Sequence, residues 1–274
     1  MLNHLIQLAS TMADFIGDPR FPEKAMRSGS RALKIEYYED LYRLYSRLHF
    51  SRYTDRPLAI AGLEKRLQRA FDTKGGYGIF DDGDHRERGL FHRSILWRRA
   101  EGKDDSQELE PIEFPSKKRN THVPSWSWMA YKGGIDYETP KWGSADWETN
   151  DISEPWTQGY GQSTASAPQG GVIAIPAIVR NFHVANRLPD EVKLVYDTGR
   201  TRGSDGERAQ CVIVAKEKAA NTVSQGQRRH YVLLVALKQA MGGRGRRVYQ
   251  RVGAGHMLGK YISLGDASIK AEIQ

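Results

Sequence analysis

The chain has 274 residues, 41 Lys plus Arg against 33 Asp plus Glu, and a formal net charge of +8. With 39% apolar residues and 27 glycines it has material for a packed core, which excludes a fully disordered chain. A single cysteine, Cys211, excludes a disulfide framework and a multi-cysteine zinc site.

The first third reads helical. Residues 1–16 place Leu2, Leu5, Ile6, Leu8, Ala9, Met12, Ala13 and Ile16 near helical spacing, and Asp18-Pro19 and Phe21-Pro22 interrupt the run. Ser28-Gly29-Ser30 reads as a joint, so 1–32 is an N-terminal helix with its linker. The spacing predicts a stronger helix over 33–49, with Leu33, Tyr37, Leu41, Leu44, Tyr45 and Leu48 on one face. Thr54-Asp55-Arg56-Pro57 predicts a helix start, with an N-cap residue and a proline in the first turn. That helix runs to about Phe71, with Leu63, Leu67, Ala70 and Phe71 inward, and Gly75-Gly76 stops it. Tyr77 to Phe80 reads as a short strand and Gly89 to Trp97 as a short helix, completing a helical segment over 33–100. Residues 101–120 are charged, contain Pro111 and Pro115, and read as an exposed loop.

From residue 121 the period falls from 3.6 to about 2. Val123 to Met129 alternates, which predicts a strand with Trp126 and Trp128 on one face and Ser125 and Ser127 on the other. Gly133-Gly134 reads as a hairpin turn and Ile135 to Thr139 as the return strand. Residues 140–171 are rich in Gly, Ser, Pro and Gln, carry three separated tryptophans, and read as a long loop. Further strands are predicted at 172–183, 192–196, 210–215, 230–238, 246–252 and 256–264. Helices first and strands after give an α+β class: helices packed on a mainly antiparallel sheet or sandwich over 121–274. The 33–100 and 121–274 segments are expected to pack as one domain, with Trp97, Trp126 and Trp128 in the shared core.

The motifs that carry chemistry are sparse. Val252-Gly253-Ala254-Gly255-His256-Met257-Leu258-Gly259-Lys260 resembles a phosphate loop, but Ala254 stands where its first glycine belongs and Tyr261 where its hydroxyl belongs. It reads instead as a turn between two strands. Asp81-Asp82-Gly83-Asp84-His85 lacks the spaced ligands of a calcium loop and reads as a solvated turn, and His85 with His92 makes a poor ligand pair. Cys211 has His183 and His230 on neighbouring predicted strands, yet its apolar neighbours point to a buried, inert thiol. No Gly-x-Ser-x-Gly elbow occurs, and acidic pairs such as Asp104-Asp105 lie in loops. The expected catalytic, cofactor and metal residues are therefore none.

All six tryptophans fall between Trp97 and Trp156. Trp126 and Trp128 suit a core; Trp142, Trp147 and Trp156 suit either packing or exposed contact with a partner, sugar or base. Arg244, Arg246 and Arg247 in a glycine-rich run resemble a nucleic-acid-binding segment, and the plainer reading is a hairpin loop joining Tyr231–Lys238 to Val248–Val252. Residues 200–252 hold twelve Lys or Arg and three Asp or Glu, a net of +9, which leaves −1 for the rest of the chain. The basicity is local, and a basic patch suits an acidic partner.

Several segments, taken in order, resemble one family. Leu44-Tyr45-Ser46-Arg47 followed by Leu48 to Gly62 is similar to the segment after the HET domain of fungal heterokaryon-incompatibility proteins, with Pro57 intruding between Arg56 and Leu58. Tyr77-Gly78-Ile79-Phe80 resembles the family's Tyr-x-x-Gly-Leu-Trp, and Ile95-Leu96-Trp97 its Leu-Leu-Trp. Pro124-Ser125-Trp126-Ser127-Trp128-Met129-Ala130 resembles its Pro-Ser-Trp-Ser-Trp-Ala, with Gly134-Ile135-Asp136-Tyr137 following. Cys211 to Val214 and Tyr231 to Val235 are similar to its paired strands, and Val248 to Gly255 to its Tyr-Glu-Arg-Val-Gly, with Gln250 for Glu.

The similarity covers about residues 35–260. The HET domain's own signatures, a Ser-Tyr-x-Trp-Gly strand and an Asp-x-x-Cys-Ile-Asn-Gln segment, are absent. The resemblance implies a C-terminal region without that domain: a non-enzymatic interaction or regulatory module linked to non-self recognition and cell-death signalling, with a protein partner and no cofactor. It transfers no catalytic residues. The competing reading is a nucleic-acid-binding protein that uses Arg244, Arg246, Arg247 and the loop tryptophans. No apolar run approaches the ~20 residues of a membrane span, and Met1 to Leu8 lacks the basic region of a signal peptide. A soluble, cytoplasmic protein is expected.

Overall fold

The computed structural model describes residues 31–81, 89–102, 108–115, 123–138, 140–156, 173–184, 190–198, 209–219, 222–240, 247–266 and 268–274. The helix expected over 1–16 lies outside them.

Helix α1 (Arg31–Ser46) forms where a helix was predicted, but its phase differs. Ile35, Tyr38, Leu41, Tyr42 and Tyr45 are buried, Tyr37 and Leu44 are half-buried, and Leu48 is 47% exposed beyond the helix end. Tyr37 and Tyr38 are adjacent aromatics, and the pattern alone does not choose between them. The tertiary partners do: Tyr38 meets Phe80 and Tyr137 edge-on, and Tyr42 stacks on Phe80 and leans on Trp128. A single 3₁₀ turn (Tyr53–Asp55) leads into α2 (Arg56–Phe71), with Pro57 in the first turn as predicted. Asp55 precedes α2 without a side-chain capping bond, and the helix ends on Asp72 in the left-handed region (φ 52), before Gly75-Gly76. Ile60, Glu64, Leu67 and Phe71 form its buried stripe; Leu63 packs at the margin.

Strands β1 (Lys74–Gly76) and β2 (Ile79–Asp81) make a hairpin around Tyr77-Gly78, both at positive φ, the backbone a two-residue turn needs. Helix α3 (Leu90–Ile95) is buried at every position and runs directly into β3 (Trp97–Arg99).

Next come β4 (Glu110–Pro111), β5 (Tyr131–Lys132) and β6 (Ile135–Tyr137). Residues 125–130 correct the predicted strand. Ser127 N–H donates to Pro124 O, and Ser127 Oγ accepts Met129 N–H to cap a 3₁₀ turn over Trp128–Ala130. Local serine bonds thus satisfy the backbone that a strand would have offered to a neighbour. The two indoles do not share a strand face, although both are fully buried. The predicted hairpin at Gly133-Gly134 is also replaced: β5 pairs with β4 while β6 pairs with β3.

The remaining strands are β7 (Ala145–Trp147), β8 (Ile175–Val179), β9 (Val192–Tyr196), β10 (Gln210–Glu217), β11 (Arg229–Ala240), β12 (Arg247–Leu258) and β13 (Ile269–Ile273). They form one seven-stranded sheet in the order β7-β10-β11-β12-β13-β8, with β9 on the second half of β12. All pairings are antiparallel except β12 with β13. Few helices and one large, mostly antiparallel sheet make the fold α+β. Arg180, just past β8, exchanges two backbone hydrogen bonds with Cys211 of β10, so the sheet closes back on itself.

The expected turn at Gly253-Ala254-Gly255 is the middle of β12. Those glycines admit the β9 backbone: a Cβ would stand 2.5 Å from Val195 O at Gly253 and 2.0 Å from Lys193 O at Gly255. The β11–β12 hairpin forms as predicted, from Arg229 opposite Leu258 to Ala240 opposite Arg247. One apolar cluster joins α1, α2, the tryptophans and one face of the sheet; a second, around Cys211, Val232, Leu234 and Met257, covers the other. Among the described residues no helix is long and apolar enough to cross a membrane.

Candidate functional site

The motif residues converge on one buried cluster. Arg251 of β12 lies with its guanidinium 3.2 Å above the Trp97 ring and is fully buried. Its Nε and Nη2 donate to the two oxygens of Asp197 at 3.0 and 3.3 Å, Nη1 donates to Ile95 O at 2.9 Å, and Nη2 also meets Trp97 O. Burial raises the Asp197 carboxyl, and Arg251 draws it partly back. Trp97 Nε1 donates to Trp126 O at 2.8 Å, and Ser125 Oγ accepts the Arg251 N–H at 3.1 Å.

A second lobe lies against α2. Ser127 Oγ donates to Tyr77 O at 2.7 Å, and the Trp128 indole sits on Gly78. Arg56, also fully buried, spans from Trp128 at 5.4 Å to Phe50 at 5.8 Å and gives its Nη groups to Ser46 O and Tyr131 O. Burial pulls its guanidinium down to about 10. The two arginines and the Trp97, Trp126 and Trp128 indoles are fully buried, while Phe50, Tyr77 and Ser125 are half-buried at the margin. The arrangement fixes backbone and indoles in place.

The polar groups nearer the surface are different. His256 Nδ1 lies 2.6 Å from Glu138 Oε1, Glu138 Oε2 lies 3.0 Å from Arg98, and Arg98 and Lys193 share Glu101 at 2.8 and 3.3 Å. Burial raises the Glu138 carboxyl, but the His256 bond and the Arg98 and Lys193 charges outweigh it and hold it below its ordinary value. Arg93 lies between Trp142 at 5.1 Å and Trp147 at 4.9 Å. Trp147 and Trp156 pack against the main core, whereas Trp142 is 47% exposed. Trp147 ends β7 where a loop was expected over 140–171, and of the three tryptophans only Trp142 offers a broad accessible face.

The other sequence candidates separate. Cys211 is fully buried and its thiol is pushed up to about 12 by burial. It faces Leu234 across the ladder, while His230 faces Lys216 five positions along β10, and His183 lies beyond Arg180. No Cys-His pair forms. His92 is buried, with Nε2 2.8 Å from Glu148 O; His85 and Asp82 to Asp84 lie outside the described residues, as do Arg244 and Arg246. Arg247 opens β12 and is exposed. Among the described residues no group of three or more His, Cys, Asp or Glu is placed to hold a metal ion.

Sequence reasoning placed Arg56 and Arg251 only inside family-like segments, without a core role, and missed Asp197 and Glu64. Charged side chains read as surface unless a partner is visible, and each of these finds its partners far along the chain. The segments that contain Arg56 and Arg251 were the available signals. Comparison with family models, with curated proteins and with solved structures finds no match to any.

Proposed function

We propose that the chain is a non-enzymatic interaction module of the kind that forms the C-terminal part of fungal heterokaryon-incompatibility proteins, acting in non-self recognition and cell-death signalling through a protein partner. The observation that supports this reading is the meeting of its motifs. Tyr45, Arg56, Tyr77-Gly78, Trp97, Ser125 to Trp128 and Arg251 are spread over some two hundred positions, yet they touch in an unbroken series. The test is expression in a filamentous fungus behind a HET domain. Growth arrest or cell death beyond that of the HET domain alone is expected, and growth equal to that control overturns the reading.

A second reading, nucleic-acid binding, draws on the net +9 of residues 200–252, the exposed Arg247 and the exposed Trp142. It requires a mobility shift of single-stranded RNA or DNA at low salt that weakens when Arg244, Arg246 and Arg247 become Ala. No shift at low salt removes it.

A further inference from the structure

The seam between α2 and the β1–β2 turn holds a carboxyl that, among the described residues, no cation meets. Glu64, in the middle of α2, is 3% exposed, and its hydrogen bond comes from Gly78 N–H at 2.5 Å. Gly78 stands at φ +79 with the Trp128 indole against it; a Cβ there would lie 2.1 Å from Nε1. Tyr77, beside it, accepts a hydrogen bond from Ser127 Oγ. The turn is thus gripped by Glu64 on one side and by the Ser127-Trp128 segment on the other.

Among the described residues, the titratable groups that face Glu64 are Tyr42 and Tyr45 of α1 and Tyr77 of the turn. Burial pushes all three phenols up, so they stay neutral around neutral pH. Arg56, two turns earlier on α2, is committed to Ser46 O and Tyr131 O. A carboxylate at this place exchanges its hydration for one amide N–H; a neutral acid loses far less.

We propose that Glu64 is a proton-operated latch: as a neutral acid it seats the Tyr77-Gly78 turn between α2 and Trp128, and its ionisation releases that turn. Burial pushes the carboxyl up from its ordinary 4.5 to about 7, against the Gly78 N–H, which lowers it. The seated form therefore holds a proton that the released form gives up. Its advantage is complete below about pH 4.5 and is lost as pH rises to about 7. The latch is independent of the function proposed above.

Amide hydrogen exchange of the 76–80 segment in the whole chain, corrected for intrinsic rates, tests it. The opening constant is expected to rise about tenfold per pH unit up to about pH 7, and to be flat with pH in Glu64→Gln. Equal wild-type opening at pH 5.5 and 7.5, or the same slope in Glu64→Gln, overturns the latch. Carbon-13 titration of the wild-type Glu64 carboxyl keeps the test open if that variant does not fold. A midpoint near 7 supports the latch, and one in the ordinary carboxylate range overturns it.

Discussion

Two fully buried arginines divide the interior between them. Arg251 joins the sheet to α3 and β3, and Arg56 joins α2 to the end of α1 and to β5. Each covers an indole, Trp97 at 3.2 Å and Trp128 at 5.4 Å, and each bonds backbone carbonyls distant in sequence. The difference is the counter-charge. Arg251 has both oxygens of Asp197, whereas Arg56 has carbonyl dipoles and ring faces and, among the described residues, no carboxylate bond. Burial draws the Arg56 guanidinium down to about 10. A buried cation can thus be held either by full pairing or by dipoles alone, and the two arrangements fail differently.

The largest effect is expected where pairing is broken. Asp197→Ala leaves Arg251 buried without its carboxylate and should cost about 3–5 kcal/mol, read from urea unfolding midpoints. Trp126→Ala keeps the backbone carbonyl that accepts from Trp97 Nε1 but removes a fully buried indole, and should cost about 3–5 kcal/mol through the cavity left. An unchanged melting point would remove Trp126 from the core. Arg56→Met gives up a cation that, among the described residues, has no carboxylate partner. Its expected cost is about 1–3 kcal/mol, from the carbonyls of Ser46 and Tyr131 left unsatisfied. A loss as large as that of Asp197→Ala would erase the contrast between the two arginines. The smallest effect belongs to Trp142→Ala, which ends one of the two ring contacts of Arg93 at the surface and should cost about 1 kcal/mol or less. A larger drop in the same denaturation assay would place Trp142 in the core.

The elements with local causes were legible. The helices near 33–49 and 54–71, the short helix after Gly89 and the β11–β12 hairpin follow from spacing, proline and glycine. What was not legible depends on distant partners. The phase of α1 is chosen by Phe80 and Trp128. Ser125 to Trp128 alternates like a strand, yet the serine hydroxyls take over the backbone bonding. The glycines of β12 mimic a turn until β9 is laid against them. The same holds at the buried cluster: its tryptophans announce themselves by size, while Arg251 and Asp197 become core residues only once strands 54 positions apart are adjacent.

Cys211 lies where the closing sheet meets itself, bonded backbone to backbone with Arg180. It is the chain's one cysteine, it is fully buried, and its thiol is pushed up to about 12. A thiol reagent therefore gains nothing until the seam parts. The labelling rate becomes a clock for that opening, built into the natural sequence with no probe to attach.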